Sequence, residues 1–433
     1  MWSIPVLVAH GMGVAGQLPI PLWWVLYAAI ALVVFTFLAV GRRWTRARFT
    51  DRDLGVELPG AAERVLAVAR VAGRVAGAGM LGVVIASAVR GGEFAANALF
   101  VGVWVLVLLI AAVLGDVYAL VNPFAGLAAL LARLDLGSSP AWLDRVGRYP
   151  AAVVLLVFGW VELAHPDPGD PDVVLGFVLA YTLVMVVGGL WWGPRWVARA
   201  DGFGVLFGLV GRMGVLGRGT DGRLRLRPPL VGLAGVRPVR GTAAVALVAL
   251  GVTAFDGLSR STVWEGVLGL RSGWTATPLQ TVGLLVLVGI VATAYTAATS
   301  SAATLVGRPG PELVETFAPA LVPIVVGYAL AHYFSLVVFD GQLLLALASD
   351  PLGLGWDLFG TAADPVDLTA VTGTTIAWVQ VAAILVGHVA AVVLAQERAV
   401  ARFEAEVVAP SQHAFLGAVV LYAVVGLVLL LGA

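Results

Sequence analysis

Apolar residues occur in runs of about twenty, separated by shorter polar stretches, along almost the whole chain. A helix of about 20 residues rises about 30 Å, which is the thickness of the hydrocarbon core of a bilayer. We expect helices at residues 22–41, 65–89, 96–120, 150–164, 173–192, 242–257, 278–305, 319–340, 376–397 and 414–431. The pattern therefore predicts an all-α integral membrane protein with about ten transmembrane helices.

The positions of the arginines predict how these helices are oriented. Arg42 and Arg43 directly follow the first run, and nine arginines lie between Arg195 and Arg240. Cytoplasmic loops carry an excess of basic residues, so we expect residues 194–240 to form the main cytoplasmic loop. The loop at about residues 341–373 contains aspartates and no arginine, and we expect it to be external.

This alternation places both termini outside the cell. Residues 1–21 then form an external N-terminal segment, and residues 22–433 form a single polytopic domain. The predicted location is the cell membrane, with multiple passes. Its predicted partner is the lipid bilayer, and subunits of a membrane complex are further candidates.

The amino-acid composition excludes several classes of protein and of catalytic site. Hydrophobic residues make up 60% of the chain and charged residues 12%, which is outside the range of soluble domains. The net charge is zero, which argues against a nucleic-acid partner. There is no cysteine, which excludes thiolate metal sites and cysteine nucleophiles. The sequence also lacks a phosphate-binding loop with lysine, a Gly-x-Ser-x-Gly elbow and a His-Glu-x-x-His pair.

The eighth and ninth runs carry matched polar positions. His332 and Asp340 are eight residues apart, as are Gln380 and His388, so each pair lies on one helical face. In an antiparallel hairpin, Asp340 would face Gln380 near the outer surface, and His332 would face His388 deeper in the membrane. Asp256, at the end of the sixth run, would close the site from a third side. We therefore predict an outward-facing pocket for an ion or a substrate.

Several roles are open for these residues. Neutral imidazoles of His332 and His388 suit a divalent metal ion, a haem iron or a proton relay, and intramembrane ionisable groups are often functional. Each histidine is alternatively bonded to a backbone carbonyl or a hydroxyl between helices. Asp340 is alternatively a solvated helix-end carboxylate, Gln380 a link to a neighbouring helix, and Asp256 a polar residue at a helix C-terminus.

Several short motifs carry a family resemblance. They are Ala9-His10-Gly11, Leu18-Pro19-Ile20-Pro21, Asn122-Pro123, Ala331-His332-Tyr333-Phe334-Ser335, Gly341-Gln342, Ser349-Asp350-Pro351-Leu352-Gly353, Asp357-Leu358-Phe359-Gly360-Thr361, Gln380-Val381 and Gly387-His388-Val389. On these motifs the chain resembles polytopic membrane proteins of the fenitrothion hydrolase-like family. The resemblance implies hydrolysis of an organophosphate ester. Family members tend to have Leu-Ala-His where this chain has Leu394-Ala395-Gln396, so a third histidine is missing.

Three functions follow as hypotheses. The first is a permease-like protein, or a subunit of a membrane complex, whose polar pocket handles an ion, a proton or a small solute. The second is an intramembrane enzyme in which a metal on His332 and His388, with Asp340, activates water against a phosphoester or supports redox chemistry. The third is a membrane anchor for a partner, with no chemistry of its own.

Overall fold

The computed structural model describes residues 18–49, 54–134 and 141–431. Most of the predicted external segment 1–21 lies outside the described residues, and so does the Ala9-His10-Gly11 motif. Within the described ranges, nine helices are long and apolar enough to cross a membrane, and a shorter apolar helix of 15 residues, Tyr149–Leu163, is the tenth. The prediction of an all-α polytopic membrane protein is confirmed.

The ten long helices agree with the predicted runs to within a few residues at most ends. They are α1 Leu22–Arg43, α2 Gly60–Val89, α3 Phe94–Leu114, α4 Tyr149–Leu163, α5 Pro171–Trp192, α6 Thr242–Ser259, α7 Thr277–Val306, α8 Val322–Ser349, α9 Gly373–Val400 and α10 Ala405–Leu431. Residues Ala98–Val107 of α3 are π-helical.

Short helices connect them. They are Tyr118–Val121, Pro123–Leu131, Ala132–Leu134, Trp142–Val146, Pro194–Ala200, Gly202–Val210, Val231–Ala234, Thr262–Leu268, Gly273–Thr275, Gly310–Phe317 and Ala318–Leu321.

The hairpin of α8 and α9 differs from the prediction at its loop. α8 begins at Val322 and continues past Asp340 to Ser349, so the connecting loop begins at Asp350. Residues 341–349 are mostly leucine and alanine, which favour helix, and Gly341 alone does not end it. Asp340 therefore lies within a helix rather than at its end.

The loop predicted at residues 194–240 has its own structure. It contains strands β2 (Leu216–Arg218) and β3 (Leu224–Leu226), which join β1 (Val56–Glu57) in an antiparallel sheet of order β1-β3-β2. Each strand has two or three residues, too few to show an alternating pattern in sequence. The sheet ties this loop to the segment before α2.

The helices divide into an inner and an outer group. Almost every residue of α6 is buried, as are long stretches of α3, α8 and α9. α2 instead exposes Val65, Val68, Val71 and Val75, each 68–70% accessible. An apolar outer face is what contact with lipid requires, and the inner helices are where polar groups can be shielded from it.

Candidate functional site

A carboxylate–histidine pair lies at the centre of the bundle. Asp256 is one turn from the end of α6, and His332 lies roughly 15 Å along α8 from its first residue. The Nε2 atom of His332 is 2.6 Å from Oδ2 of Asp256. Asp256 is 1% exposed and His332 7% exposed. A buried carboxylate is costly unless it is paired, and the imidazole provides one of its partners.

Arg260 provides a second partner. It follows Asp256 by one helical turn, and its Nη2 and Nε atoms lie 3.1 Å and 3.2 Å from Oδ1 of Asp256. The Arg260 side chain is 35% exposed, so it extends from the buried carboxylate towards the surface. Both oxygens of Asp256 therefore have a hydrogen-bonding partner, and a positive charge offsets the negative one.

The pair belongs to a larger group of polar side chains from four helices. Tyr333 donates its hydroxyl hydrogen bond to Oε1 of Glu162 at 3.3 Å and accepts one from Nε1 of Trp104 at 3.1 Å. The rings of His332 and Tyr333 are 4.8 Å apart. We call Trp104, Glu162, Asp256, His332 and Tyr333 the central polar cluster.

Two atoms of this cluster lack a partner. Nδ1 of His332 and Oε2 of Glu162 are both buried and make no hydrogen bond with any described residue. Buried polar groups are normally satisfied, so such atoms call for an explanation. With its Nε2–H donated to Asp256, the Nδ1 lone pair of His332 is available to a proton or a ligand.

His388 is buried at a different place. It is 1% exposed, its Nδ1 donates to the carbonyl oxygen of Ile384 at 2.7 Å, and its Nε2 has no partner among the described residues. Two tyrosine rings lie between the histidines. The centroid distances are 6.4 Å from His332 to Tyr328, 5.8 Å from Tyr328 to Tyr422 and 6.1 Å from Tyr422 to His388.

The register of α8 and α9 explains this separation. A Cβ atom added to Gly327 would lie 2.5 Å from the carbonyl oxygen of Ala383, and one added to Gly387 would lie 2.6 Å from that of Pro323. The two helices are therefore closest at these glycines. In this antiparallel register, His332 lies near the level of Gln380, and His388 lies roughly 12 Å away along the axis. The predicted facing of the two histidines is not observed.

The other predicted residues are not joined to the pair. Gln380 is 8% exposed and its Oε1 makes no hydrogen bond with a described residue. Asp340 is half-buried, and no hydrogen bond connects it to Gln380 within the described part of the chain. Of the five predicted residues, the structure joins Asp256 to His332 by a hydrogen bond and leaves Asp340, Gln380 and His388 outside the central polar cluster.

Sequence reasoning missed or discounted Arg260 and the remaining members of the central polar cluster. Arg260 could have been found from its spacing of four residues after Asp256. Glu162 stands near the end of its apolar run, a position that favours contact with water over burial. Trp104 and Tyr333 gave no signal, because aromatic residues are frequent throughout the apolar runs.

Fold and site together define a polytopic helical membrane protein with a carboxylate–histidine pair buried among its inner helices. No protein-family model, curated protein or solved structure matches the chain.

Proposed function

We propose that this protein is a permease-like membrane protein, or a subunit of a membrane complex, that binds and releases a proton at Asp256 and His332 as it handles an ion or small solute. The observation that supports it is the buried Asp256–His332 hydrogen bond together with the unpartnered Nδ1 of His332. Ionisable residues that are paired between membrane helices mark ion pathways and proton relays.

The chemistry follows from the two ring nitrogens. Neutral His332 donates Nε2–H to the Asp256 carboxylate, and Nδ1 accepts an incoming proton. The imidazolium that results keeps its hydrogen bond to the oppositely charged carboxylate, 2.6 Å away. Loss of the same proton from Nδ1 restores the starting state. Glu162, within electrostatic range of Asp256, offers a second carboxyl group for the transfer.

Proteoliposomes containing the full chain and a trapped pH-sensitive dye test the proposal. We expect an imposed pH gradient to drive proton flux that is lost in His332→Gln and Asp256→Asn. The matched control is His413→Gln, which changes an exposed histidine outside the central polar cluster. Absence of flux with the wild-type protein, or unchanged flux in both variants, would refute it.

A metal-dependent hydrolase of organophosphate-type esters, or a redox or haem subunit, is the second candidate. The two unpartnered imidazole nitrogens, on His332 and His388, favour it. A catalytic metal usually has three protein ligands, and the described residues contain no group of three or more His, Asp or Glu placed to hold one. With their separation along the axis, His332 and His388 do not fit one shared metal.

Elemental analysis and an absorption spectrum of purified protein separate the two proposals. The hydrolase or redox function requires about one metal or haem per chain, lost on substitution of either histidine. The proton-handling function requires flux from metal-free protein. Hydrolysis of an organophosphate ester by the metal-loaded protein, absent from the metal-free form, would favour the second candidate.

A further inference from the structure

A polar cavity of about 560 Å³ lies away from the central polar cluster, among the short helices that follow α3 and α5. Arg74 of α2, Arg148 before α4, and Arg212 and Arg237 of the loop between α5 and α6 all line it. By the positive-inside rule this is the cytoplasmic side. Its size is that of a small-molecule site, and its walls carry four guanidinium groups.

Nearby carboxylates act on two of these arginines through charge alone, Glu315 on Arg148 and Asp116 on Arg212. No ion pair joins Arg74, Arg148, Arg212 or Arg237 to a described residue, and Nε of Arg74 is buried without a partner there. Arg148 donates to Oγ1 of Thr242 at 3.1 Å. Burial and then the positive charge of Arg212 lower the pKa of Arg148, and the negative charge of Glu315 opposes this shift.

Two carboxylates also line the cavity, but they are engaged. Asp201 accepts hydrogen bonds from Tyr181 Oη at 2.5 Å, Asn122 Nδ2 at 2.7 Å and the Gly204 amide at 2.7 Å. Burial raises the pKa of Asp201. Asp116 accepts from the Ala119 amide at 3.1 Å and interacts electrostatically with Arg212. Four arginines face two such carboxylates, so the cavity favours an anion.

An apolar groove of about 350 Å³ adjoins this cavity. Tyr118 lines both spaces, and α2 passes from one to the other, since Arg74 lines the polar cavity while Met80 and Val84 line the groove. The rise from Arg74 to Val84 is roughly 15 Å. The groove lies between α2, α3 and α5, where Val103 and Phe177 form its other walls. Met80 is 53% exposed, so the groove opens on the lateral surface of the helix bundle, where lipid would lie.

We propose that these two spaces form one binding site for a lipid with a phosphate headgroup, which places the phosphate among the arginines and an acyl chain in the groove. Guanidinium groups bind phosphate through charge-assisted, bidentate hydrogen bonds, and basic pockets between membrane helices are typical sites for anionic headgroups. The order of polar cavity then apolar groove along α2 matches the order of headgroup and chain in a bilayer leaflet.

Native mass spectrometry of the full chain in detergent tests the headgroup contacts, with dipalmitoylphosphatidic acid as the probe and dipalmitoylphosphatidylcholine as the comparison. We expect the phosphatidic acid to bind more tightly, and Arg212→Gln/Arg237→Gln to weaken it about tenfold or more. Both arginines are exposed, so their loss leaves no buried group unsatisfied. The matched control, Arg145→Gln/Arg271→Gln, removes two exposed arginines outside the cavity and should bind like wild type.

The groove and the source of the phosphate need separate measurements. Met80→Trp should fill the groove and weaken dipalmitoylphosphatidic acid, while dihexanoylphosphatidic acid and inorganic phosphate keep their wild-type affinities. Inorganic phosphate that binds as tightly as the lipid would overturn the lipid assignment in favour of a free anion. Equal binding of phosphatidylcholine, an unaffected Arg212→Gln/Arg237→Gln variant, or an unaffected Met80→Trp variant would also overturn the proposal.

Discussion

Glu397 and Arg398 near the end of α9 bury charge as completely as Asp256 and His332 do, but with a different result. Arg398 is fully buried and donates at 2.5–3.0 Å to the carbonyl oxygens of Thr316, Leu233, Ala234 and Val236. Glu397, also fully buried, accepts from Trp44 Nε1 at 2.6 Å and from the amides of Arg48 and Phe49 at 2.7–3.0 Å.

The buried polar atoms around the Asp256–His332 pair are less completely hydrogen-bonded. His332 and Glu162 each keep one buried polar atom without a described partner, and so does Tyr328, whose ring is 6.4 Å from that of His332. Each unsatisfied group of this kind costs about 1–3 kcal/mol. A group of residues that contributes only to folding gains nothing from that cost, which is why the central polar cluster is the better functional candidate.

The comparison of these two groups of buried charges shows that burial of a charge does not by itself identify a functional site in a membrane protein. Hydrogen bonds of Glu397 and Arg398 hold α9 to the segment after α1, to the loop before α6 and to the short helix Gly310–Phe317 before α8. We assign them an architectural role because neither side chain has a buried polar atom without a partner, and their hydrogen bonds go to Trp44 and to backbone groups. Substitutions should therefore affect stability in one region and proton flux in the other.

Arg398→Met should give the largest loss of stability. It removes the donors from at least four buried carbonyls, and breaking a buried charged network by removing one side typically costs about 3–5 kcal/mol. Thermal unfolding in detergent, followed by circular dichroism, measures the effect. Arg271→Met, at an exposed arginine, should change stability by no more than about 0.5 kcal/mol. Equal stability of the two variants would contradict the architectural role.

Glu397→Gln should cost less, about 2–3 kcal/mol. The amide keeps one acceptor oxygen but loses the charge, and its NH₂ group then meets donors from Trp44 and the chain after α1. The same unfolding measurement applies, with Glu406→Gln as the control at an exposed position of α10. A Glu397→Gln variant as stable as this control would show that the carboxylate charge is not needed there.

The sequence predicted the helices well because apolar length is a strong signal in a membrane protein. The helix limits of α1, α5 and α7 were predicted to within three residues. The end of α8 was not, since leucines and alanines continue past Asp340 without a break in the helical pattern.

The candidate site was predicted only in part, because a stripe of polar residues fixes a helical face but not the register between helices. The register of α8 and α9 depends on Gly327 and Gly387, and matched spacing alone could not reveal that these glycines would meet. The sequence placed Asp256 on a third side of the site, but its contact with His332 joins residues 76 positions apart, and no local pattern shows which residue of the hairpin it meets.

Substitutions at His332 should separate stability from function. His332→Gln retains a donor for Asp256, so we expect a stability change below about 1 kcal/mol together with loss of proton flux. His332→Leu leaves an oxygen of Asp256 without its imidazole donor and should cost about 1–3 kcal/mol. Thermal unfolding and the dye-loaded proteoliposome assay on the same preparations measure both effects. Wild-type flux in His332→Gln would remove this histidine from the proposed relay.

The smallest change in stability is expected on removal of a hydroxyl group from Tyr328 or Tyr422, whose rings are 5.8 Å apart. The hydroxyl of Tyr422 donates to the carbonyl oxygen of Leu250 at 2.9 Å, whereas the buried hydroxyl of Tyr328 has no partner among the described residues. Tyr422→Phe should therefore cost about 1 kcal/mol, and Tyr328→Phe should be neutral or stabilising by up to about 1 kcal/mol, because it removes an unsatisfied group. Each variant is the other's control in the unfolding measurement. Equal destabilisation by Tyr328→Phe and Tyr422→Phe would show that the hydroxyl of Tyr328 has a hydrogen-bonding partner, and would contradict its assignment as an unsatisfied group.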